Sequence, residues 1–231
     1  MYNDCMIDDV FILIPVYNEE SKIKDVVSSL QPHFKNIIVV NDGSDDSTKD
    51  ILDTLDVILI NHFLNLGQGA AISSGLSFIK NIDRAKAVVT FDADGQHSVE
   101  DALNFANEII SCEEDIIFGS RFIENQKNIP FFKRFVLRFV TIVSNAITNM
   151  KLTDSHNGLK AFKTRCLDRI TIDIDGFAFE SEITNLVSKS NLSYKEMPTN
   201  TIYSEYSMKK GQKLRNGLII LEDLFKSTKS K

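Results

Sequence analysis

Five short apolar runs alternate with segments of helical periodicity in the first half of the chain, and this alternation restricts the fold more than any other feature. The runs, each suited to a buried strand, are Val10–Pro15, Lys35–Asn41, Val57–Asn61, Ala87–Phe91 and Ile116–Gly119. The helical segments lie near residues 19–32, at Ser47–Leu55, at Gly67–Ile79 and from Ser98 onward. Strands joined by helices predict an α/β fold with βαβ units, a mostly parallel sheet and right-handed crossovers.

Polar side chains gather where several of these strands end. Asn18 and Glu19 follow the first strand, Asp42 follows the second, and Asp92 and Asp94 follow the fourth. Ligands of open α/β sheets bind beyond the carboxyl ends of the strands, so we expect a binding site at this edge. No GxGxxG follows the first strand and no GxxxxGK[ST] is present, which excludes the usual dinucleotide and phosphate-loop fingerprints.

The run DADGQH at residues 92–97 offers oxygen ligands. Alternate residues after a strand can point to one side, so Asp92, Asp94 and Gln96 are expected to present three oxygen donors together. Such ligands suit Mg²⁺ or Mn²⁺. A metal that bridges a diphosphate would neutralise charge on a leaving nucleotide. The alternative is a solvated acidic turn, which the position directly after a strand disfavours.

Composition limits the partners and the location. The formal net charge of −6 argues against general nucleic-acid binding. Cys5, Cys112 and Cys166 show neither CxxC nor Cys/His metal spacing, so reduced thiols in the cytosol are expected. The polar, acidic start does not resemble a signal peptide, and no apolar run approaches the ~20 residues that span a bilayer. We therefore expect a cytoplasmic protein that can lie on a membrane without crossing it.

Four segments occur in the order found in a known family. They are PVYNE at 15–19, NDGS at 41–44, NLG at 65–67 and DAD at 92–94. Together they resemble the family 2 glycosyltransferases, which have the Rossmann-like GT-A fold. The run DADGQH, followed by GSRF at 119–122, is similar to the dolichyl- or polyprenyl-phosphate sugar synthases. The resemblance extends over roughly residues 10–215. Asn41 and Gln68 depart from it, since relatives commonly have Asp and Lys there, and the second departure removes a possible phosphate contact.

The resemblance implies roles for the matching positions. Arg121 would face a phosphate, and its planar fork suits phosphate oxygens. Asp42 would accept from a base N–H or a ribose hydroxyl. The alternatives are helix capping or turn formation for Glu19 and Asp42, and a surface ion pair for Arg121. Pro15, Tyr17, Glu19 and Asp42 would line the nucleoside pocket, while Asp92, Asp94 and Gln96 would surround the metal and diphosphate.

The second half of the chain bears on the acceptor. Residues 154–162 (DSHNGLKAF) resemble the acceptor-side motif of the family, and Asp154 is the candidate catalytic residue there. A hydroxyl acceptor must lose a proton and needs a carboxylate base, for which Asp154, Glu180 and Glu182 are candidates. A lipid phosphate is already an anion and needs cations instead. His97 and His156 are interpreted as ligands, bases or ordinary polar contacts.

Positive charge concentrates in two late segments of this acidic chain. Residues 121–140 hold five basic residues against one acid, and residues 201–231 hold seven against three. In the second segment, Lys209 and Lys210 match the loop that holds phosphate groups in the family, with a solvated loop as the alternative. These cations favour an anionic acceptor.

Residues 130–150 predict an aromatic, basic amphipathic helix. Phe131, Phe135, Phe139 and Ile142 recur at helical spacing, with Lys133, Arg134 and Arg138 mainly on other faces. Such a helix can lie in a membrane interface, or it can pack on the core or on another subunit. We expect recruitment to the inner face of the membrane through this helix or through a small membrane-embedded partner. A homo-oligomer is an alternative use of the same face.

These observations predict an inverting, metal-dependent sugar transfer from a nucleotide sugar to a polyprenyl phosphate. UDP-glucose or UDP-N-acetylglucosamine is the expected donor, with GDP-mannose as a rival, and the product would serve cell-envelope glycan synthesis. Residues 1–125 would bind the donor, and residues 126–231 would bind the acceptor and face the membrane or a partner. The alternatives are transfer to a hydroxyl of a growing glycan and a non-catalytic nucleotide-sugar binding module.

Overall fold

A single sheet organises the computed structural model, which describes residues 7–124, 129, 131–172 and 179–201. The strands are β1 (Ile7–Val16), β2 (Phe34–Asn41), β3 (Ile58–Asn61), β4 (Ala87–Thr90), β5 (Ile116–Ser120), β6 (Lys160–Lys163) and β7 (Tyr194–Pro198). The helices are α1 (Ile23–Leu30), α2 (Thr48–Leu52), α3 (Gln68–Ile79), α4 (Val99–Ser111), α5 (Phe131–Thr148) and α6 (Phe179–Lys189), with a 3₁₀-helix at Thr164–Arg169. The seven strands lie in the order β3-β2-β1-β4-β6-β5-β7.

The first half of the sheet agrees with the sequence prediction. β1 pairs in parallel with β2 on one side and with β4 on the other, and β2 pairs in parallel with β3. Each of the five predicted strands overlaps an observed one. α2 is shorter than predicted because the chain turns after Leu52, where Thr54 and Leu55 donate backbone hydrogen bonds to Ile51 and Leu52.

β6 was not predicted from the sequence, and it joins the two halves of the chain. It lies antiparallel between β4 and β5. At the end of β4, the Thr90 hydroxyl donates to Gly158 O over 2.6 Å and accepts from Lys160 N over 3.1 Å. These contacts bring residues 158–160 to the carboxyl edge of the parallel strands. β6 and β7 share the sheet with the earlier strands. The division of the chain into two halves at residue 125 stays a prediction.

Both faces of the sheet are covered, and β1 shows how. Val10, Ile12 and Ile14 belong to a cluster with residues of α1 and α4. Phe11 and Leu13 point to the opposite face, into a cluster with residues of α3 and α6. A parallel strand buried on both faces reads as an uninterrupted apolar run, which is why the sequence revealed it.

α5 is amphipathic, as predicted. Its buried side includes Val140, Ser144 and Thr148, and the hydroxyls of Ser144 and of Thr184 on α6 lie 3.2 Å apart. The predicted alternative of packing on the core thus holds for this buried side, while the use of the exposed aromatic side stays a prediction. No helix in the described part of the chain combines the length and apolarity needed to cross a membrane. On the aromatic side of α5, Phe131, Phe135, Phe139 and Ile142 are exposed to 87, 64, 47 and 66%.

The packing of α3 on β1 depends on Gly75. An ideal Cβ at this position would lie 2.1 Å from Leu13 Cδ1, and Leu13 is fully buried. We expect Gly75→Ala to lower the free energy of unfolding by up to about 2 kcal/mol, because overpacking costs about 1–3 kcal/mol and the helix-propensity gain offsets about 1 kcal/mol of it. Thermal denaturation measures this. Ser77→Ala, at an exposed position of the same helix, is the control. A melting temperature of Gly75→Ala at or above that of the wild type would refute the packing argument.

Candidate active site

The turn after β4 carries the two predicted metal-binding aspartates. Gly95 has a φ of +75° there, a conformation that glycine adopts at little cost. The turn folds Gln96 onto Asp94. Gln96 N donates to Asp94 Oδ1 over 3.0 Å, and the Gln96 side-chain amide donates to the other carboxylate oxygen. Asp94 and Gln96 are thus in direct contact, with the Gln96 amide acting as a donor to the carboxylate.

Asp92 is surrounded by donors and cations. His97 Nε2 lies 2.9 Å from Asp92 Oδ2, and Gln68 Nε2 donates to Asp92 Oδ1 over 3.3 Å. Burial opposes ionisation of Asp92, but the His97 hydrogen bond and charge, together with the charges of Lys160 and Arg121, hold its pKa below the ordinary value. Gln68, which departs from the family pattern, therefore has a local role that sequence reasoning missed.

Gly158 closes the other side of Asp92. An ideal Cβ on Gly158 would lie 2.1 Å from Asp92 Oδ2 and 2.7 Å from its Cγ. A side chain at this position would displace the carboxylate, so glycine is required where the loop before β6 meets the turn after β4. The glycine is visible in the sequence, but its contact depends on a pairing that the sequence did not reveal.

The environment of Asp94 fits a divalent cation. Burial and the neighbouring Asp92 charge raise the pKa of Asp94. Two carboxylates that disfavour each other's ionisation are relieved by a bound cation. In residues 7–124, 129, 131–172 and 179–201, no group of three or more His, Cys, Asp and Glu side chains could hold a metal. Asp92 and Asp94 offer two carboxylates to a cation at this turn, which suits Mg²⁺ or Mn²⁺ with donor phosphates as further ligands. The predicted ligand role of Gln96 stays a prediction.

The Asp42 carboxylate fixes the loop that follows β3 through hydrogen bonds. It is 2% exposed. Its Oδ1 accepts from Leu66 N over 3.0 Å and lies 2.7 Å from His62 Nδ1, and its Oδ2 accepts from Gly67 N over 2.8 Å. His62 Nε2 in turn lies 2.9 Å from the Ser74 hydroxyl. The turn-forming alternative for Asp42 is therefore observed, and a nucleoside contact would add to these bonds.

The other predicted nucleoside-pocket residues reach the same edge of the sheet. Pro15 is buried in β1 and paired with Val40 of β2, while Tyr17 is 42% exposed. Glu19 is buried, and its backbone N–H donates to the Thr48 hydroxyl over 2.9 Å. Contact of these residues with a nucleoside stays a prediction.

Arg121 and Asp154, predicted as separate site residues, form one buried ion pair. Arg121 Nε and Nη2 donate to the two Asp154 oxygens over 2.6 and 2.8 Å, and Nη2 also donates to His156 O over 2.6 Å. Arg121 is therefore not the surface ion pair of the alternative interpretation. Burial raises the Asp154 pKa, but Arg121 outweighs burial and lowers it overall.

Lys133, on the first turn of α5, adds a cation that sequence reasoning counted among the basic residues favouring an anionic acceptor but gave no place in the site. Burial and the Arg121 charge lower its pKa, while Asp94 and Asp154 act in the opposite sense. Its ammonium group is therefore within electrostatic reach of both the aspartate turn and the Arg121–Asp154 pair. The signal in the sequence was only its position among five basic residues at 121–140.

A comparison with known families decides the identity. The sequence model of glycosyl transferase family 2 matches residues 11–171. The chain belongs to glycosyl transferase family 2. This glycosyltransferase is 35% identical over 234 residues to UDP-N-acetylglucosamine–dolichyl-phosphate N-acetylglucosaminyltransferase of Methanococcus voltae, covering 91% of this chain and 92% of the relative. It is 26% identical over 230 residues to polyprenol monophosphomannose synthase of Mycolicibacterium smegmatis, covering 93% and 84%.

The fold of this glycosyltransferase is that of a solved enzyme. Glucosyl-3-phosphoglycerate synthase from Mycobacterium tuberculosis, crystallised with Mn²⁺, UDP and glucosyl-3-phosphoglycerate, superposes with a TM-score of 0.63 at 14% identity. The match covers 94% of this chain and 78% of that one. The predicted GT-A fold and the resemblance to lipid-phosphate sugar synthases are confirmed. Lys209, Lys210 and residues 176–178 lie outside the described residues, and their predicted roles stay predictions.

Asp94→Asn tests the carboxylate pair. Because folding raises the pKa of Asp94, its ionised form costs stability, a cost that is absent below the ordinary value of 3.8 and complete above the raised pKa. We expect Asp94→Asn to raise the melting temperature of the metal-free glycosyltransferase at pH 7 and to abolish the increase that Mn²⁺ with UDP produces. Asp25→Asn, which removes an exposed carboxylate, should leave that increase intact. An unchanged Mn²⁺ response in Asp94→Asn would exclude Asp94 as a ligand.

Proposed function

We propose that this glycosyltransferase transfers a sugar from a nucleotide sugar to the phosphate of a polyprenyl phosphate, with inversion at the anomeric carbon. The observation that carries the proposal is the state of two of the three candidate bases, Asp154 and Glu180. Asp154 is bound to Arg121, and Glu180 is bound to Lys160, with each pair buried. The Arg121 charge lowers the pKa of Asp154 overall, so Asp154 is a poor general base. Burial raises the pKa of Glu180 despite the opposing Lys160 charge, so the pairing argument applies most strongly to Asp154. An acceptor that arrives as an anion does not need a general base.

The cations near the aspartate turn support an anionic acceptor. The charge of Arg121 contributes to the lowered pKa of Lys133, and the charges of Lys160 and Arg121 contribute to the lowered pKa of Asp92. Part of this positive charge is balanced by Asp154 and Glu180. An acceptor phosphate beside Lys133 would relieve the repulsion between Lys133 and Arg121, and we propose that these two residues bind it.

The residues then divide the work of an in-line displacement. Asp92 and Asp94 would hold Mg²⁺ or Mn²⁺, which when bound would supply positive charge to stabilise the leaving diphosphate. Lys133 and Arg121 orient the acceptor phosphate. An acceptor oxygen forms a bond to the anomeric carbon as the bond from that carbon to the diphosphate oxygen breaks. The nucleoside diphosphate leaves with the electron pair, and no proton transfer from the acceptor is required.

For the donor, we propose a UDP sugar, either UDP-N-acetylglucosamine or UDP-glucose. The name of the Methanococcus voltae relative, at 35% identity, supports the first. GDP-mannose is the rival, and the name of the mycobacterial synthase, at 26% identity, supports mannose as the sugar. The lipid-linked product would supply cell-envelope glycan synthesis.

We expect release of nucleoside diphosphate to require both the metal and a polyprenyl phosphate. The wild-type enzyme is assayed with Mn²⁺ or Mg²⁺, each candidate donor, and either polyprenyl phosphate or the corresponding polyprenol. Lys133→Gln should raise KM for the lipid phosphate about tenfold, since a hydrogen bond to a charged group contributes roughly 1.5–3 kcal/mol. Lys151→Gln, at an exposed position, should match the wild type.

Other results would favour the alternatives. Release that ignores the lipid phosphate but rises with a free glycan would support a hydroxyl acceptor. Binding of nucleotide sugar without turnover under any condition would support a non-catalytic module, although the retained Asp92 and Asp94 argue against that.

We further propose that the aromatic face of α5 docks on the inner face of the cytoplasmic membrane. Phe131, Phe135, Phe139 and Ile142 are exposed on a helix that also carries Lys133, Arg134 and Arg138. Aromatic residues beside basic ones suit an anionic lipid surface. Lys133 connects this helix to the aspartate turn electrostatically, so docking would present lipid phosphates to the site.

The docking proposal predicts binding to anionic vesicles. Replacing Phe135 with Asp should weaken sedimentation with vesicles containing phosphatidylglycerol about tenfold or more, since burying a Phe side chain contributes about 1.5–3 kcal/mol. Phe63→Asp, which changes a 97% exposed Phe in the loop after β3, is the matched control. Absence of vesicle binding, together with a dimer that Phe135→Asp dissociates, would instead assign the face to self-association. A purified monomer that does not bind vesicles would instead favour recruitment by a membrane-embedded partner.

A further inference from the structure

His156 has a buried ring nitrogen that lacks a partner. Its Nε2 is inaccessible and makes no hydrogen bond in the part of the chain that the structure describes. Leaving a buried polar atom unsatisfied costs about 1–3 kcal/mol, so such an atom calls for an explanation. A substrate atom that arrives during the reaction is one.

The rest of His156 is held firmly in place. Its Nδ1 lies 2.8 Å from the Ser155 hydroxyl, and Ser155 N donates to the Thr141 hydroxyl of α5 over 3.1 Å. The backbone N–H of His156 donates to Asp154 Oδ1 over 3.3 Å, and its carbonyl accepts from Arg121 Nη2 over 2.6 Å. The ring is therefore anchored both to α5 and to the Arg121–Asp154 pair.

The same contacts accommodate a proton on Nε2. Ser155 Oγ lies 2.8 Å from His156 Nδ1 and 3.2 Å from Thr141 Oγ1, and either atom of each pair can be the donor. In the tautomer with the proton on Nε2, the Ser155 hydroxyl donates to Nδ1 and the Thr141 hydroxyl donates to Ser155 Oγ. An anionic oxygen at Nε2 selects this tautomer.

The imidazole is neutral at physiological pH. Burial lowers the pKa of His156 to about 4; Asp154 acts in the opposite sense, and Lys160 and Arg121 add to the lowering. A neutral donor surrounded by two cations matches an anionic oxygen. The donor diphosphate is assigned to the turn at Asp92 and Asp94, so the anion beside Arg121 is the acceptor phosphate.

We propose that His156 Nε2 donates a hydrogen bond to an oxygen of the acceptor phosphate. This inference rests on the proposed function. His156 thus serves as an acceptor-binding residue, and its contact adds no charge to a site that already contains three cations. Through Ser155 and Thr141, its ring orientation is tied to α5.

A pair of substitutions separates the two ring nitrogens. The side-chain amide nitrogen of an Asn at residue 156 lies near the position of Nδ1 in histidine, whereas that of a Gln lies near the position of Nε2. We expect His156→Asn to raise KM for polyprenyl phosphate about tenfold or more, the factor for a lost hydrogen bond to a charged group, with KM for the nucleotide sugar unchanged. His156→Gln should stay within about threefold of the wild type.

The measurement distinguishes failure of this inference from failure of the proposed function. A wild-type enzyme that does not glycosylate polyprenyl phosphate contradicts both. An active wild type with unchanged acceptor KM in His156→Asn contradicts the His156 inference alone, as does better activity in Asn than in Gln. If either variant is unfolded, ¹⁵N NMR of the wild-type imidazole decides. Inorganic phosphate added without donor should shift the His156 Nε2 resonance, and an unshifted resonance at saturating phosphate overturns the inference.

Discussion

The antiparallel pairing of β6 with β4 is the contact on which the candidate site depends. It places Gly158 against the Asp92 carboxylate and Lys160 within electrostatic reach of it. Asp154 and His156 precede the same strand, so the pairing also sets where Arg121 finds its partner. Without β6, residues 154–160 would not be held beside the aspartate turn and Arg121.

Charge balance explains why the site suits two anionic substrates. Asp92 and Asp94 repel each other and favour a cation, and the cation attracts a diphosphate. Across the site, Arg121 and Lys160 pair with buried carboxylates, and the charges of Arg121, Asp94 and Asp154 all act on Lys133. This arrangement is consistent with the dolichyl phosphate in the name of the Methanococcus voltae relative.

Local sequence patterns predicted the parallel strands and the aspartate turn because burial on both faces and strand-end chemistry are written in consecutive residues. β6 escaped prediction because four residues, Lys160–Lys163, carry too little periodicity, and its pairing with β4 spans some seventy positions. The same reason applies to the bond from Asp42 to His62, 20 residues away, and to the Arg121–Asp154 pair, separated by 33. The electrostatic link between Lys133 and the aspartate turn could not be predicted, because helical spacing does not say which surface the start of α5 meets.

The chemical bond that forms in the product tests the account most directly. We would follow ³¹P NMR of polyprenyl phosphate incubated with the enzyme, Mn²⁺ and UDP-N-acetylglucosamine, UDP-glucose or GDP-mannose. The account predicts that one donor converts the lipid phosphomonoester resonance to a phosphodiester resonance, with inversion at the sugar's anomeric carbon. A phosphomonoester that persists while the sugar appears on a hydroxyl acceptor would contradict it.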